Sequence, residues 1–296
     1  MTSNYQFTHS KKKELILLFS EFFFLIYELV VCLPLFLKFK YSSKKIIKIN
    51  KINNLTILGN GPSLKKDLSK IKKNSNLFVV NTFFSKKNLR FLKPNFLCCI
   101  DSMFISDYSR LSPSIKKSVQ DTFNQLNKVD WNIVVFIPKK IKKIFQSRVQ
   151  NDKVRIITIP SLSFDFESSY YLELLAILKM PPPKINVSVT STYIGIICGS
   201  KNIRLLGVDN NNIHSFKTDQ ITNETYTDYI HFSKSRKDIK ILKNKFNDRK
   251  PTSMYIKLKR EASVFKWYAY ISIISKNLDI IIKNKSSYSL IDSIKR

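Results

Sequence analysis

Leu55-Thr-Ile-Leu-Gly-Asn-Gly-Pro-Ser63-Leu64 joins an apolar run to a turn of small residues. Four residues of strand character followed by two glycines, a proline and two short polar side chains describe a strand that ends in a tight turn before a helix. Glycines at 59 and 61 admit φ > 0, Pro62 presets the first helical residue, and Asn60 and Ser63 add hydrogen bonds for an anion at the helix N-terminus. The stretch is neither G-x-x-x-x-G-K-S/T nor G-x-G-x-x-G, so neither nucleotide motif applies as written. An ordinary tight turn is the alternative reading of the same residues.

Outward from this stretch, strand and helix patterns alternate. The sequence predicts a short helix from Ser63 to about Ile71. Strands are expected at 77–80 ending on Asn81, at 96–100 ending on Asp101, at 131–137 and at 154–159. A small-residue helix over 188–198 leads through Gly199 into a strand at 203–206 and then Gly207-Val-Asp209. Short apolar strands between helices indicate a doubly wound, parallel α/β sheet of Rossmann-like type, in which ligands gather at the carboxyl ends of the strands. Asn60, Asn81, Asp101 and Asp209 stand just past those ends. Each also suits a solvated loop or a helix cap. Residues 255–282, with Trp267, Tyr268 and Tyr270, read as helical.

The charge is extreme: 51 Lys and Arg against 21 Asp and Glu in 296 residues, a net charge of +30. Such a balance suits nucleic acid, anionic lipid or a nucleotide substrate, although the joint abundance of Lys, Asn, Ile and Phe also fits a compositional bias. The lysines are scattered, without basic zipper, zinc-finger spacing or aromatic RNA-binding signature, so nucleic acid is not an expected partner. Four cysteines and three histidines show no metal-ligand spacing, and neither a disulfide framework nor a metal site is expected.

Residues 15–37 are long and apolar enough to cross a bilayer as a helix. Glu14, Glu21 and Glu28 recur every seven residues on one face of it. A glutamate at bilayer centre costs roughly 2.5–3.5 kcal/mol on the insertion scale, so an interfacial helix with its acidic stripe toward headgroups or protein competes with a plain span. Lysines flank both sides, which suits anionic lipid but gives no orientation. A buried helix of the main domain is the remaining reading. The expected organisation is a membrane-associated segment over 1–50, a Rossmann-like nucleotide-sugar-binding domain over 51–250, and a C-terminal helical segment over 251–296.

Thr56-Ile-Leu-Gly-Asn-Gly-Pro-Ser-Leu64, Val-Val-Asn81, and Gly199-Ser-Lys-Asn-Ile-Arg-Leu-Leu-Gly-Val-Asp209 together resemble the family-42 sialyltransferases and their relatives of bacterial surface-polysaccharide synthesis. The resemblance covers about 54–240. It implies a Rossmann-like, GT-A-variant fold and metal-independent, inverting transfer of sialic acid from CMP-sialic acid. By position it implies that Gly59, Asn60, Gly61 and Ser63 hold the nucleotide phosphate, that Asn81 lies near nucleotide and sugar, and that Lys184 stands near a family arginine. Tyr229-Ile-His-Phe-Ser-Lys234 resembles the family's Tyr-Ile-Gly-His-Ser-Lys, whose histidine is the base, but here His231 comes one position early. A family tyrosine after Asp209 is replaced by Asn211, with Tyr226 or Tyr229 as substitutes.

Inverting transfer needs a base for the acceptor hydroxyl, hydrogen bonds for the departing phosphate and exclusion of water. His231 is the first expectation for the base and His214 the second, since imidazole titrates near neutrality. Asp209 is expected to orient the base or contact the acceptor. The expected activity is transfer from a CMP-activated nonulosonic acid, without metal or other cofactor, to a lipid-linked oligosaccharide of a surface glycan at the cytoplasmic face of the inner membrane. A homo-oligomer is among the assemblies such a chain admits. Pterin pyrophosphokinase-like proteins and flagellin-modifying transferases share similar turns and supply one alternative. A basic protein that binds anionic surfaces is another.

Overall fold

The computed structural model describes residues 11–50, 52–72, 75–85, 91–104, 111, 113–218, 220–221, 225–227, 240–241, 243–244, 247–251 and 253–296; the side chains of 11–15, 42–50, 85, 226–227 and 240–251 lie outside that description. A long helix, α1 (Lys11–Asn50), precedes β1 (Asn54–Leu58) and the four-residue α2 (Leu64–Asp67). There follow β2 (Asn76–Val80), β3 (Phe96–Cys98), α3 (Pro113–Leu126), β4 (Ile133–Pro138), α4 (Lys142–Arg148) and β5 (Val154–Ile159). Next come α5 (Ser169–Ile177), α6 (Val187–Ile197) and β6 (Asn202–Leu206). Short antiparallel pieces β7 (Phe216–Thr218), β8 (Thr225–Thr227), β9 (Lys240–Ile241), β10 (Lys243–Asn244) and β11 (Asn247–Pro251) lead to α7 (Met254–Asn277) and β12 (Ile281–Asn284).

Seven strands form one parallel sheet in the order β12-β6-β1-β2-β3-β4-β5. The central strands are apolar on both sides because both faces are covered. Leu55, Ile57, Phe78, Phe96, Cys98, Phe136 and Ile203 face a core shared with α1, α5, α6 and α7, whereas Leu58, Val79, Leu97, Cys99 and Val135 face one shared with α3 and α4. Adjacent Cys98 and Cys99 therefore point to opposite faces, as the two-residue strand period requires. All four cysteines are buried thiols outside any disulfide.

Chain order reverses between β1 and β6. The chain builds outward from β1 to β5, then returns to add β6 and β12 on the other side of β1. The turn after β1 is thus at the switch point, next to the turn after β6. The short helix expected from Ser63 to about Ile71 is found as one α-turn continued by a 3₁₀ turn, Leu68–Lys70, capped at Ser63 and straightening at Ile71. One expectation is corrected. The helical reading of 255–282 ends early: Asp279 at φ 52° breaks the chain, and Ile281–Asn284 pairs with β6 as an edge strand. The C-terminal segment is therefore part of the main sheet.

α1 answers the question raised by its glutamates. Glu21, Leu25, Glu28, Cys32, Phe36 and Phe39 form one buried stripe with helical spacing against β5 and the segment that follows it. Glu28 Oε1 accepts the Ser163 hydroxyl and the backbone N–H groups of Ser163 (2.5 Å) and Phe164 (2.8 Å). Glu21 accepts the amides of Glu167 (2.6 Å) and Ser168 (3.2 Å). Glu21 and Glu28 of the acidic stripe face protein, and the Glu14 side chain lies outside the described residues. Phe19, Phe23, Ile26, Val30 and Leu37 on the outer face are exposed, and Ile16–Tyr41 is long and apolar enough to cross a membrane.

Candidate functional site at the carboxyl edge of the sheet

Two turns meet at the switch point with almost no space between them. Gly59 N donates to Leu206 O and Gly61 N to Gly207 O, both at 2.8 Å. A Cβ on Gly61 would stand 2.5 Å from Asp209 Oδ2 and 2.7 Å from Gly207 O, so only glycine fits. The expected φ > 0 is not found at 59 or 61; it occurs at Gly207 (φ 64°). Close approach of two backbones is what the motif's glycines permit.

Ser63 is fully buried and joins two carboxyls. Its amide donates to Asp209 Oδ2 at 2.8 Å, and its hydroxyl oxygen lies 2.5 Å from Asp209 Oδ1 and 2.7 Å from Asp67 Oδ2. Asp67 also accepts Lys70 Nζ (2.7 Å), the Ser287 hydroxyl (2.6 Å) and the amides of Gly207 and Ser287. Burial pushes the Asp67 carboxyl up, but these donors outweigh it and hold it below the usual value. For Asp209 burial wins over the Ser63 hydrogen bonds, with the Asp67 charge adding to it, and the carboxyl is raised. The structure thus corrects two expectations. Ser63 is turned into the protein and its amide is engaged, and Asp209, 1% exposed, faces Ser63 instead of an acceptor or base. α2 is a single turn, and the amides of 59, 61 and 63 are engaged by the β6 side.

The asparagines occupy the edge itself. Asn60 Nδ2 donates to Val80 O at 3.1 Å, across from β1 to β2, and leaves its buried Oδ1 without a protein partner. Asn81, in the left-handed region at φ 47°, accepts Ile100 N through Oδ1 (3.3 Å), which bridges β2 to β3. After β6, Asn210 is also left-handed (φ 45°). Asn186 Nδ2 donates to its Oδ1 at 3.4 Å, and Asn212 Nδ2 donates to the buried Glu261 of α7 at 3.2 Å. Asn210 Nδ2 and Asn211 Oδ1 are buried without partners. The buried Tyr268 hydroxyl stands by Asn210 and Ser188 without a hydrogen bond of good geometry, and burial raises its pKa. Left-handed asparagines and buried amide atoms without a protein partner thus stand on both sides of the switch point.

Asp101 caps its own turn, accepting Met103 N at 3.3 Å. His214 is exposed in the 3₁₀ turn Asn212–Ser215. His231 and Tyr229 lie outside the described residues, and of Tyr226 only the strand position is described, opposite Lys217. Lys184 stands apart from the glycine turn, in a cavity of about 720 Å³ between the ends of β4 and β5 and the start of α7. A second cavity, about 710 Å³, lies toward the amino end of β1 and β6, away from the switch point. Among the described residues no group of three His, Cys, Asp or Glu is placed to hold a metal ion. Burial pushes the Cys98 thiol up to about 12 and Cys99 well above its ordinary value, so neither is a nucleophile near neutrality.

Sequence reasoning missed Asp67, Asn186, Asn210, Glu261 and Tyr268. Asp67 had a visible signal, four residues after Ser63 on the same helical turn. The others depend on long-range packing. Comparison with protein families, with curated proteins and with solved structures finds no match to this chain.

Proposed function

We propose that the chain is a membrane-associated glycosyltransferase that moves a nonulosonic acid from a CMP-sugar to a lipid-linked glycan, with the nucleotide bound at the β6-β1-β2 carboxyl edge. The observation that supports it most is the pairing of Asn60 and Asn210 about the switch point, each with a buried amide atom that lacks a protein partner. Amide side chains offer both a donor and an acceptor, the combination that a cytosine edge or a sugar hydroxyl needs. The Ser63, Asp67 and Asp209 cluster positions the turn, and Asn60, Asn81, Asn210, Asn211 and Tyr268 touch the ligand. The resemblance in the motifs supplies the donor class, and the base is assigned to His231.

The apolar outer face of α1 supports membrane association in the plane of the interface. Its buried stripe is held by the backbone amides of Ser163, Phe164, Glu167 and Ser168, and that loop carries the Glu167 carboxylate, which pairs with Lys259 at 3.1 Å. A perpendicular span would draw that charged loop into hydrocarbon at a cost of several kcal/mol. A transfer assay with labelled CMP-sialic acid and a lipid-linked oligosaccharide tests the reading. Wild type transfers label into lipid, and Asn60→Ala and His231→Ala lose at least about tenfold while still folded, as expected for removed transition-state contacts. Equal turnover in both variants contradicts the site.

A further inference from the structure

The cavity that holds Lys184 is lined by four cations, Lys140, Lys184, Lys259 and Arg260, against one lining carboxylate, Asp165, with Lys259 also paired to Glu167 at 3.1 Å. That carboxylate is already neutralised: Lys266 Nζ lies 2.6 Å from Oδ1, the Trp267 indole donates to the same oxygen at 2.7 Å, and the Ser263 hydroxyl reaches Oδ2 at 2.5 Å. Lys140 and Lys184 line the same cavity. Burial lowers the Lys184 pKa, and the Lys140 charge lowers it further. The serines at 161, 163 and 263 add hydroxyls to the lining. At about 720 Å³ the space matches a small-ligand site, and its chemistry calls for a multiply charged anion.

Its surroundings distinguish a lipid from a free anion. The wall formed by 161–164 is the loop that grips α1: Cys32 Sγ donates to Ser161 O at 3.2 Å, Glu28 takes the Ser163 and Phe164 amides, and Phe24 of α1 stacks on Phe164 at 4.2 Å. Opposite, the first turn of α7 presents Tyr255, Ile256 and Leu258, exposed at 70%, 55% and 44%. A basic pocket with an apolar rim, opening beside an apolar helix face, has the polarity profile of the membrane interface.

We propose that this cavity binds the phosphate or diphosphate of a membrane lipid, with the lipid tail leaving along the outer face of α1. The inference deepens the glycosyl-transfer reading by giving the carrier of the acceptor a place on the same carboxyl edge, toward β5 and away from the nucleotide turn.

The test uses the full chain in detergent, with farnesyl diphosphate, inorganic pyrophosphate and farnesol as probes. Binding is read by intrinsic fluorescence, and CMP-induced thermal stabilisation is recorded on the same samples. Farnesyl diphosphate is expected to bind at least about tenfold tighter than either of the other two, as both headgroup and tail contribute. Lys140→Gln with Arg260→Gln should weaken it about tenfold or more, Lys140→Arg with Arg260→Lys should restore most of the binding, and the CMP response should be the same in all three proteins. Equal affinity for pyrophosphate means a free-anion site and overturns the lipid assignment. Equal affinity for farnesol, or a neutralised variant that binds as wild type does, overturns the headgroup assignment. A cavity that behaves as expected in a protein indifferent to CMP removes the donor reading and leaves the lipid site standing.

Discussion

The hydroxyl oxygen of Ser63 lies 2.5 Å from Asp209 Oδ1, and the same oxygen is 2.7 Å from Asp67 Oδ2. A serine has one hydroxyl proton, so it cannot donate to two carboxylates. The arrangement is satisfied when Asp209 is the protonated acid, donating to Ser63, which donates to the charged Asp67. The donors around Asp67 and their absence around Oδ1 of Asp209 agree with that order. The buried junction between β1 and β6 then carries one negative charge, balanced by Lys70.

Asp209→Asn is expected to keep the fold, because an amide nitrogen reproduces the proposed O–H donor and the amide oxygen still accepts Ser63 N. The raised Asp209 pKa contributes stability that is present below the unfolded value, 3.8, and is lost as pH rises through the folded value. The melting temperature of Asp209→Asn relative to wild type should therefore rise as pH is raised above 3.8. A relative loss that grows with pH would show that Asp209 is held as the anion.

Asp67 has the opposite sign. Its lowered pKa contributes stability above 3.8 that is lost as pH falls through the folded value. Asp67→Asn removes the charge paired with Lys70 and places an amide among donors, a change of about 2–4 kcal/mol. Urea unfolding at pH 7 measures it, and the difference from wild type should shrink in acid.

Gly61→Ala puts a methyl group 2.5 Å from Asp209 Oδ2 and 2.7 Å from a backbone oxygen. Neither can retreat without parting β1 from β6, and a loss of about 3 kcal/mol or more is expected from overpacking. Circular dichroism melting checks this. A near-neutral result would mean that the two turns are not in contact.

Glu28→Ala leaves the amides of Ser163 and Phe164 without their acceptor. The cost is about 1–2 kcal/mol, since both donors are only partly buried. Limited proteolysis should cut the 161–168 segment faster in the variant, whereas unchanged cleavage would separate α1 from that loop.

How far the sequence discloses this arrangement depends on range. The β1 run, the glycine turn and strands ending on Asn81 and before Asp101 are legible because burial on both faces leaves continuous apolar stretches. β12 is hidden because Ile280–Ile282 follows the apolar α7 without a glycine or proline between them. Only Asn277 and Asp279, residues tolerant of the left-handed region, mark the break. The heptad of Glu21 and Glu28 is visible as a stripe, but its purpose depends on backbone amides more than a hundred residues later. Asp209 looks like an edge residue from its place after β6. The meeting of Gly61 with Gly207 turns it inward instead, and Asn210 takes the edge.

The central claim is that the β6-β1-β2 edge binds a CMP-linked donor without a metal, and thermal stabilisation of the full chain by CMP, UDP, GDP and ATP, with and without EDTA, tests it most directly. A ligand that binds the native state raises its melting temperature with occupancy. The account predicts stabilisation by CMP alone, indifferent to EDTA and abolished by Asn60→Ala. No response to CMP in folded wild type, or stabilisation by ATP only when Mg²⁺ is present, would contradict it.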